Sequence, residues 1–171
     1  HLTTGLTYTN TIAYITISTP GNSDNFGDMD TGMHGRTATS NATNDRGIFA
    51  GGEGTGRVSK NVIEYVTISS TSNTNNFGDL TIKRTFLAAC ANGTNDRGVF
   101  GGGNNNPGGD GNWIDYITIS STGNADNFGD LDETRRYLAS CSNGENNRGI
   151  FAGGTDLPAA IKTINFITIT S

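Results

Sequence analysis

The chain has 171 residues, 25 of them Gly and three Pro, with 16% charged and a formal net charge of −5. With no Lys/Arg cluster, that balance speaks against a nucleic-acid partner, which needs a basic stripe, and no run approaches the roughly 20 apolar residues of a membrane helix. Asn, Ser and Thr are abundant, yet apolar residues recur in the short β-branched and aromatic bursts that disordered chains lack.

Taken in chain order, the bursts repeat. Residues 10–29 read as two strands, in TIAYITIS and DNFGDM. A small-residue strand follows from Thr37 (TATSNA), then NDRGIFAGG, NVIEYVTIS and NNFGDL. The next unit gives Leu87–Asn92 (LAACAN), Gly98–Gly101 (GVFG), Trp113–Ser120 (WIDYITIS) and Asn127–Leu131 (NFGDL). The last gives LASCSN, NNRGIFAGG and TINFITIT. Alternation marks these as strands, and Asn-Gly, Asn-Asp and Gly-Asn turns tolerate the positive φ that tight reversals need. No window carries a 3.6-residue period, so helix is expected to be close to nil.

Aligned on itself, the sequence has a period of 51 residues. Tyr14, Tyr65 and Tyr116 keep that step, with Phe166 after 50; so do Phe26, Phe77 and Phe128, Asp28, Asp79 and Asp130, and Arg46, Arg97 and Arg148. The whole chain reads as one repeat domain: repeats at 10–60, 61–111 and 112–162, and a partial repeat at 163–171. Counted from the small-residue strand, units lie at about 36–80, 87–131 and 138–171, the last without its fourth strand, and 10–29 supplies a third and fourth strand with no first or second. Starting at His1, inside a repeat, the chain is expected to be a fragment, a processed form or part of a longer one.

Gly102–Gly103, Tyr116, Phe128 to Leu131 and Arg135, in that order along a four-stranded unit, resemble the kelch repeat. The pattern departs from kelch in having Phe where Trp is common in the fourth strand, and Met33 stands where Arg84 and Arg135 stand. The Asn/Thr-rich DNFGDL variant also resembles repeats in tail and other virion proteins of marine bacteriophages. The kelch resemblance implies an all-β propeller of about three blades per chain, with small residues innermost and Tyr and Phe filling the widening gaps between blades. The phage resemblance implies an extracellular or virion setting. Three blades are too few to close a ring, so the expectation is a homo-oligomer or part of a longer ring-closing chain.

Strand alternation puts two sets of turns on opposite faces. Residues 53–60, 104–111 and 155–162 share almost nothing, and 30–35, 81–86 and 132–137 also diverge, whereas the other turns barely change. Variable loops on a rigid scaffold are candidate binding elements, which nominates Glu53, Arg57, Lys60, Asn104, Asn105, Asn106, Asp110, Trp113 and Asp156. On the constant face, the repeated Asp and Arg residues are expected to form an Arg–Asp bridge between strands; a ring of polar groups that stacks on a subunit or grips a glycan is the alternative.

No constellation for catalysis emerges. His1, His34, Cys90 and Cys141 lack zinc spacing, the calcium-like GNADNFGDLDE is broken at Phe128 and Asp130, and no acidic pair repeats as a glycosidase dyad. Asn41-Ala-Thr43 and Asn92-Gly-Thr94 fit the glycosylation pattern. The sequence therefore points to a non-enzymatic, cofactor-free structural or adhesive protein, a phage virion or receptor-contacting component. The alternatives are a lectin-like propeller with a glycan or host-surface partner, and a piece of a longer kelch-like enzyme.

Overall fold

A computed structural model describes residues 8–143 and 147–169, and these form strands, turns and loops without helix. The strands are β1 (Thr11–Tyr14), β2 (Asp24–Asp28), β3 (Thr37–Thr39), β4 (Arg46–Ala50), β5 (Val62–Thr67), β6 (Asn75–Asp79), β7 (Ala88–Asn92), β8 (Arg97–Gly101), β9 (Asn104–Asn105), β10 (Gly109–Asp110), β11 (Trp113–Thr118), β12 (Asp126–Asp130), β13 (Ala139–Cys141), β14 (Arg148–Ala152), β15 (Thr155–Asp156), β16 (Ala159–Ala160) and β17 (Ile164–Thr168). All pairings between them are antiparallel. They make two four-stranded sheets, β3-β4-β5-β6 and β7-β8-β11-β12, a three-stranded sheet β13-β14-β17, and the hairpin β1-β2. The four strands expected of each unit are therefore present in the two units that lie wholly within the described residues. His1 and the turn at 144–146 lie outside them. Two hairpins that the periodicity did not predict, β9-β10 and β15-β16, project from the variable loops.

The core lies between successive sheets. Ile48, Ala50, Ile63, Phe77 and Leu80 pack on Leu87, Ala91, Phe100, Ile117 and Ile119. On the opposite side of the same middle sheet, Cys90, Val99, Ile114 and Leu131 pack on Leu138, Phe151 and Ile169. Neighbours Val99 and Phe100 are both fully buried, so the middle sheet is covered on both faces. The small-residue strands sit side by side, β3 against β7 and β7 against β13.

A bulge recurs where the third strand meets the fourth. Ile63 faces Gly78 and Glu64 faces Asn76, leaving Phe77 as the extra residue; the register shifts likewise after Ile12 and Ile114. An extra residue re-aims its side chain. Phe26, Phe77 and Phe128 accordingly meet Tyr14, Tyr65 and Tyr116 edge to face, at 5.9, 6.0 and 6.0 Å between ring centroids. The glycine after that Phe is required by the next repeat: a Cβ on Gly27 would lie 2.3 Å from the Ser72 carbonyl oxygen, and one on Gly78 would lie 2.2 Å from that of Gly123. At the same joints the Asp28 and Asp79 amides donate to the side-chain oxygens of Asn73 and Asn124, at 3.0 and 3.1 Å. The constancy of DNFGD thus has a structural cause.

A buried arginine fixes each inter-sheet connection, paired with an acid at the first two. Arg84, in the link between the first two full sheets, is fully buried; its Nη1 lies 2.9 Å from Oδ2 of Asp115 on β11, and its Nη2 donates to the Phe100 carbonyl at 3.2 Å. Thr81 donates to the same carboxylate through its hydroxyl at 2.6 Å and its amide at 3.1 Å. Burial pushes the Arg84 guanidinium below its ordinary range, and Asp115 opposes that shift. One repeat earlier, where Met33 replaces the expected Arg, Arg36 pairs instead with Glu64, the counterpart of Asp115. Burial alone would raise the Glu64 carboxyl, but hydrogen bonds from the Thr74 hydroxyl (2.7 Å) and Asp30 amide (2.9 Å), together with Arg36, bring it below the usual value. One repeat later Arg135 meets an amide, Asn165, and the Thr163 carbonyl at 3.3 Å.

The expected bridge between Arg46, Arg97 or Arg148 and Asp28, Asp79 or Asp130 is absent among the described residues. Arg97 pairs with Thr118 at one end of β11, whereas Asp130 pairs with Trp113 at the other. At about 3.3 Å per residue these positions lie roughly 16 Å apart. The guanidinium groups instead cover the aromatic rings of the third strand: Arg46 over Tyr65 at 4.6 Å, Arg97 over Tyr116 at 4.4 Å, and Arg148 over Phe166 at 4.9 Å. Arg46 also donates to the Ile119 carbonyl of the next repeat at 2.8 Å. The three Asp residues are exposed.

Candidate functional site

The constant-face turns are occupied in holding repeats together. Asn41 and Asn92 are buried; their side-chain oxygens accept from the Asn44 and Asn95 amides, and their Nδ2 groups donate across to Asp96 and Asn147, each at 3.0 Å. The amide nitrogens to which a glycan would be attached are thus engaged inside the folded chain.

The variable face is built on a backbone ladder that runs from repeat to repeat. The Phe86 amide donates to the Gly35 carbonyl at 2.8 Å, and the Tyr137 amide to the Phe86 carbonyl at 3.0 Å. These three positions are 51 residues apart and all are left-handed, with φ of 66°, 59° and 57°. Glycine adopts that conformation freely, whereas a bulky residue pays about 1–2 kcal/mol for it. Successive rungs bring the side chains together. Tyr8 stacks on His34 at 4.7 Å, His34 meets Phe86 at 5.6 Å, and Phe86 meets Tyr137 at 4.3 Å. An aromatic pair returns about 0.5–1.5 kcal/mol, close to the strain at either rung.

Beside this series lies a cleft of about 480 Å³, lined by the four aromatic residues together with Glu53, Arg57, Asn104, Asn106 and Arg136. Its floor is held by reciprocal backbone pairs that extend the first and second strands past the double glycine: His34 with Glu53 (3.1 and 2.9 Å) and Thr85 with Asn104 (2.9 and 2.8 Å). Asn104 Nδ2 donates to Asp110 at 2.6 Å, Asp110 lies 3.5 Å from Arg136 Nε, and Arg136 covers the Tyr137 ring at 5.4 Å. Asn106 Nδ2 donates to the Arg57 carbonyl at 2.8 Å, and its backbone amide donates to the Ser59 hydroxyl oxygen at 3.0 Å.

Glu53 is the exception among buried acids. Its side chain is 7% exposed, and its carboxylate has one partner among the described residues, His34 Nε2 at 3.7 Å. Glu64 and Asp115 each take an arginine, a hydroxyl and a backbone amide. The carboxylate lines the cleft.

Of the residues nominated from sequence, Glu53, Arg57, Asn104 and Asn106 line the cleft, and Asp110 supports it from behind. Lys60 and Asp156 are exposed elsewhere, Trp113 belongs to β11 opposite Asp130, and Asn105 pairs with Gly109. Sequence reasoning missed Tyr8, His34, Phe86, Arg136 and Tyr137. Divergence of the 30–35, 81–86 and 132–137 stretches was the available signal, since most of these residues fall within it or beside it. Among the described residues no group of three or more His, Cys, Asp or Glu side chains could hold a metal ion. Neither a protein-family model nor a curated protein matches the sequence.

Proposed function

We propose that the chain is a set of kelch-like propeller blades that works by binding, as a structural or adhesive component of an extracellular or virion particle. The adjoining small-residue strands β3, β7 and β13 and the rung-to-rung ladder at 35, 86 and 137 support blades arranged about one axis. In this reading the ring is closed by further copies of the chain or by a longer chain. One observation carries the functional part: the constant face uses its polar groups in joints between repeats, while the variable face keeps a cleft lined by a carboxylate with no protein hydrogen-bond donor among the described residues and by aromatic residues at left-handed φ. Bulky aromatic residues held at left-handed φ beside a cleft are the kind of strained feature that clusters at working surfaces.

The test is adhesion. Fluorescently labelled protein is applied to a panel of marine bacteria, beside a variant whose 53–60 and 104–111 loops are replaced by glycine-serine turns. Binding to some strains, lost in the variant at a similar melting temperature, is the expected result. Equal binding by both proteins, or none to any cell, counts against an adhesive variable face.

A further inference from the structure

We infer that the cleft beside the aromatic series is a saccharide subsite; the inference rests on the binding reading above and names its ligand class. Glu53 lacks the donors that the other buried acids have, so a ligand rich in hydroxyl groups completes it, each hydroxyl donating to a carboxylate oxygen. Arg57, Arg136 and Asn106 line the same cleft and carry further donors. Tyr137, 57% exposed, and Phe86 present aromatic surface suited to the C–H face of a sugar ring.

The alternatives fit less well. An ammonium ligand would suit the carboxylate and rings, but two guanidinium groups line the same cleft, and the rings lie against one another in series instead of surrounding a point. A purely anionic ligand would meet Glu53. A polyhydroxyl ring, neutral or carrying one carboxylate of its own, satisfies every group.

The backbone supplies a clean variant. Gly35 occupies the first rung with the same left-handed φ, so Tyr137→Gly removes the platform without altering the ladder. The wild type, Tyr137→Gly and Glu53→Gln are applied to an array of neutral and uronic-acid-containing oligosaccharides, and the strongest hit is titrated by calorimetry. The expected result is binding by the wild type and at least a tenfold loss in each variant, with Tyr137→Gly still folded by circular dichroism. Saccharide binding of undiminished strength in Tyr137→Gly overturns the site. Loop-dependent adhesion to cells with an empty array, or binding of tetramethylammonium in place of any sugar, overturns the ligand class and leaves the adhesive reading standing. An empty array together with cells that bind neither protein ends both.

Discussion

Replacing Asp115 with Ala removes the counter-charge of a guanidinium that is fully buried. The carboxylate accepts from Arg84 at 2.9 Å and twice from Thr81, at 2.6 and 3.1 Å. All three bonds disappear together, and the cation has no water to turn to. Breaking a buried pair from one side costs about 3–5 kcal/mol, a large share of the 5–15 kcal/mol typical of a folded domain. For a chain of this length that corresponds to a drop in melting temperature of roughly 6–20 °C. Asp115→Asn keeps acceptors for Thr81 and is expected to lose about half as much. The double change Arg84→Leu, Asp115→Leu is expected to be less harmful than Asp115→Ala alone, because no charge is stranded. Urea titration followed by circular dichroism, on Arg84→Leu, Asp115→Leu and their combination, gives the double-mutant cycle. A loss below about 1 kcal/mol for Asp115→Ala, or a double variant that is worse than both singles, would refute the view that this pair pins one sheet to the next.

Asn165 stands where the earlier repeats have an acid, so Asn165→Asp is expected to raise stability by about 1–2 kcal/mol through a charge-assisted bond to Arg135; an unchanged melt contradicts this. Glu64 titrates below its ordinary value in the folded chain, so its contribution is complete above the ordinary glutamate range and is lost as the pH falls through the depressed value. Glu64→Gln should flatten the fall in melting temperature below about pH 4, and a profile parallel to wild type would show that the carboxylate is not the cause. Burial, with Cys141 nearby, pushes the Cys90 thiol up to about 12. Alkylation of the native protein at pH 8 should therefore label Cys141, which is exposed, and spare Cys90, as read by peptide mass spectrometry; equal labelling would place β7 outside the core.

The regular part of the molecule was legible because it is written three times over. Alternation in WIDYIT and the small residues of AACAN mark strands, and these two begin and end within two residues of those expected, whereas TIAYITIS and TATSNA stop short at Tyr14 and Thr39. What escaped depends on partners far away in sequence. The Arg of NDRG repeats in step with the Asp of NFGD, yet the two occupy opposite ends of the sheet, and only strand register reveals it. Arg36 replaces the missing arginine at Met33 from three residues further on, a substitution that a strict 51-residue frame hides. The hairpins β9-β10 and β15-β16 are two residues per strand, of Asn, Gly, Asp, Thr and Ala, and carry no alternating signal. Half of the cleft came from variable loops that the sequence did nominate. Most of the aromatic series lies in the 30–35, 81–86 and 132–137 stretches, also marked as variable, but none of its residues was nominated, because Gly35, Phe86 and Tyr137 look unrelated until backbone bonds stack them.

The division of labour between the two faces is tested most directly by hydroxyl-radical footprinting of the protein bound to cells against the protein free in solution. Protection concentrated on Tyr8, Phe86, Pro107 and Tyr137, with turns 69–74 and 120–125 oxidised equally in both states, is the predicted pattern. Protection of those turns, with Tyr137 as reactive when bound as when free, would contradict it.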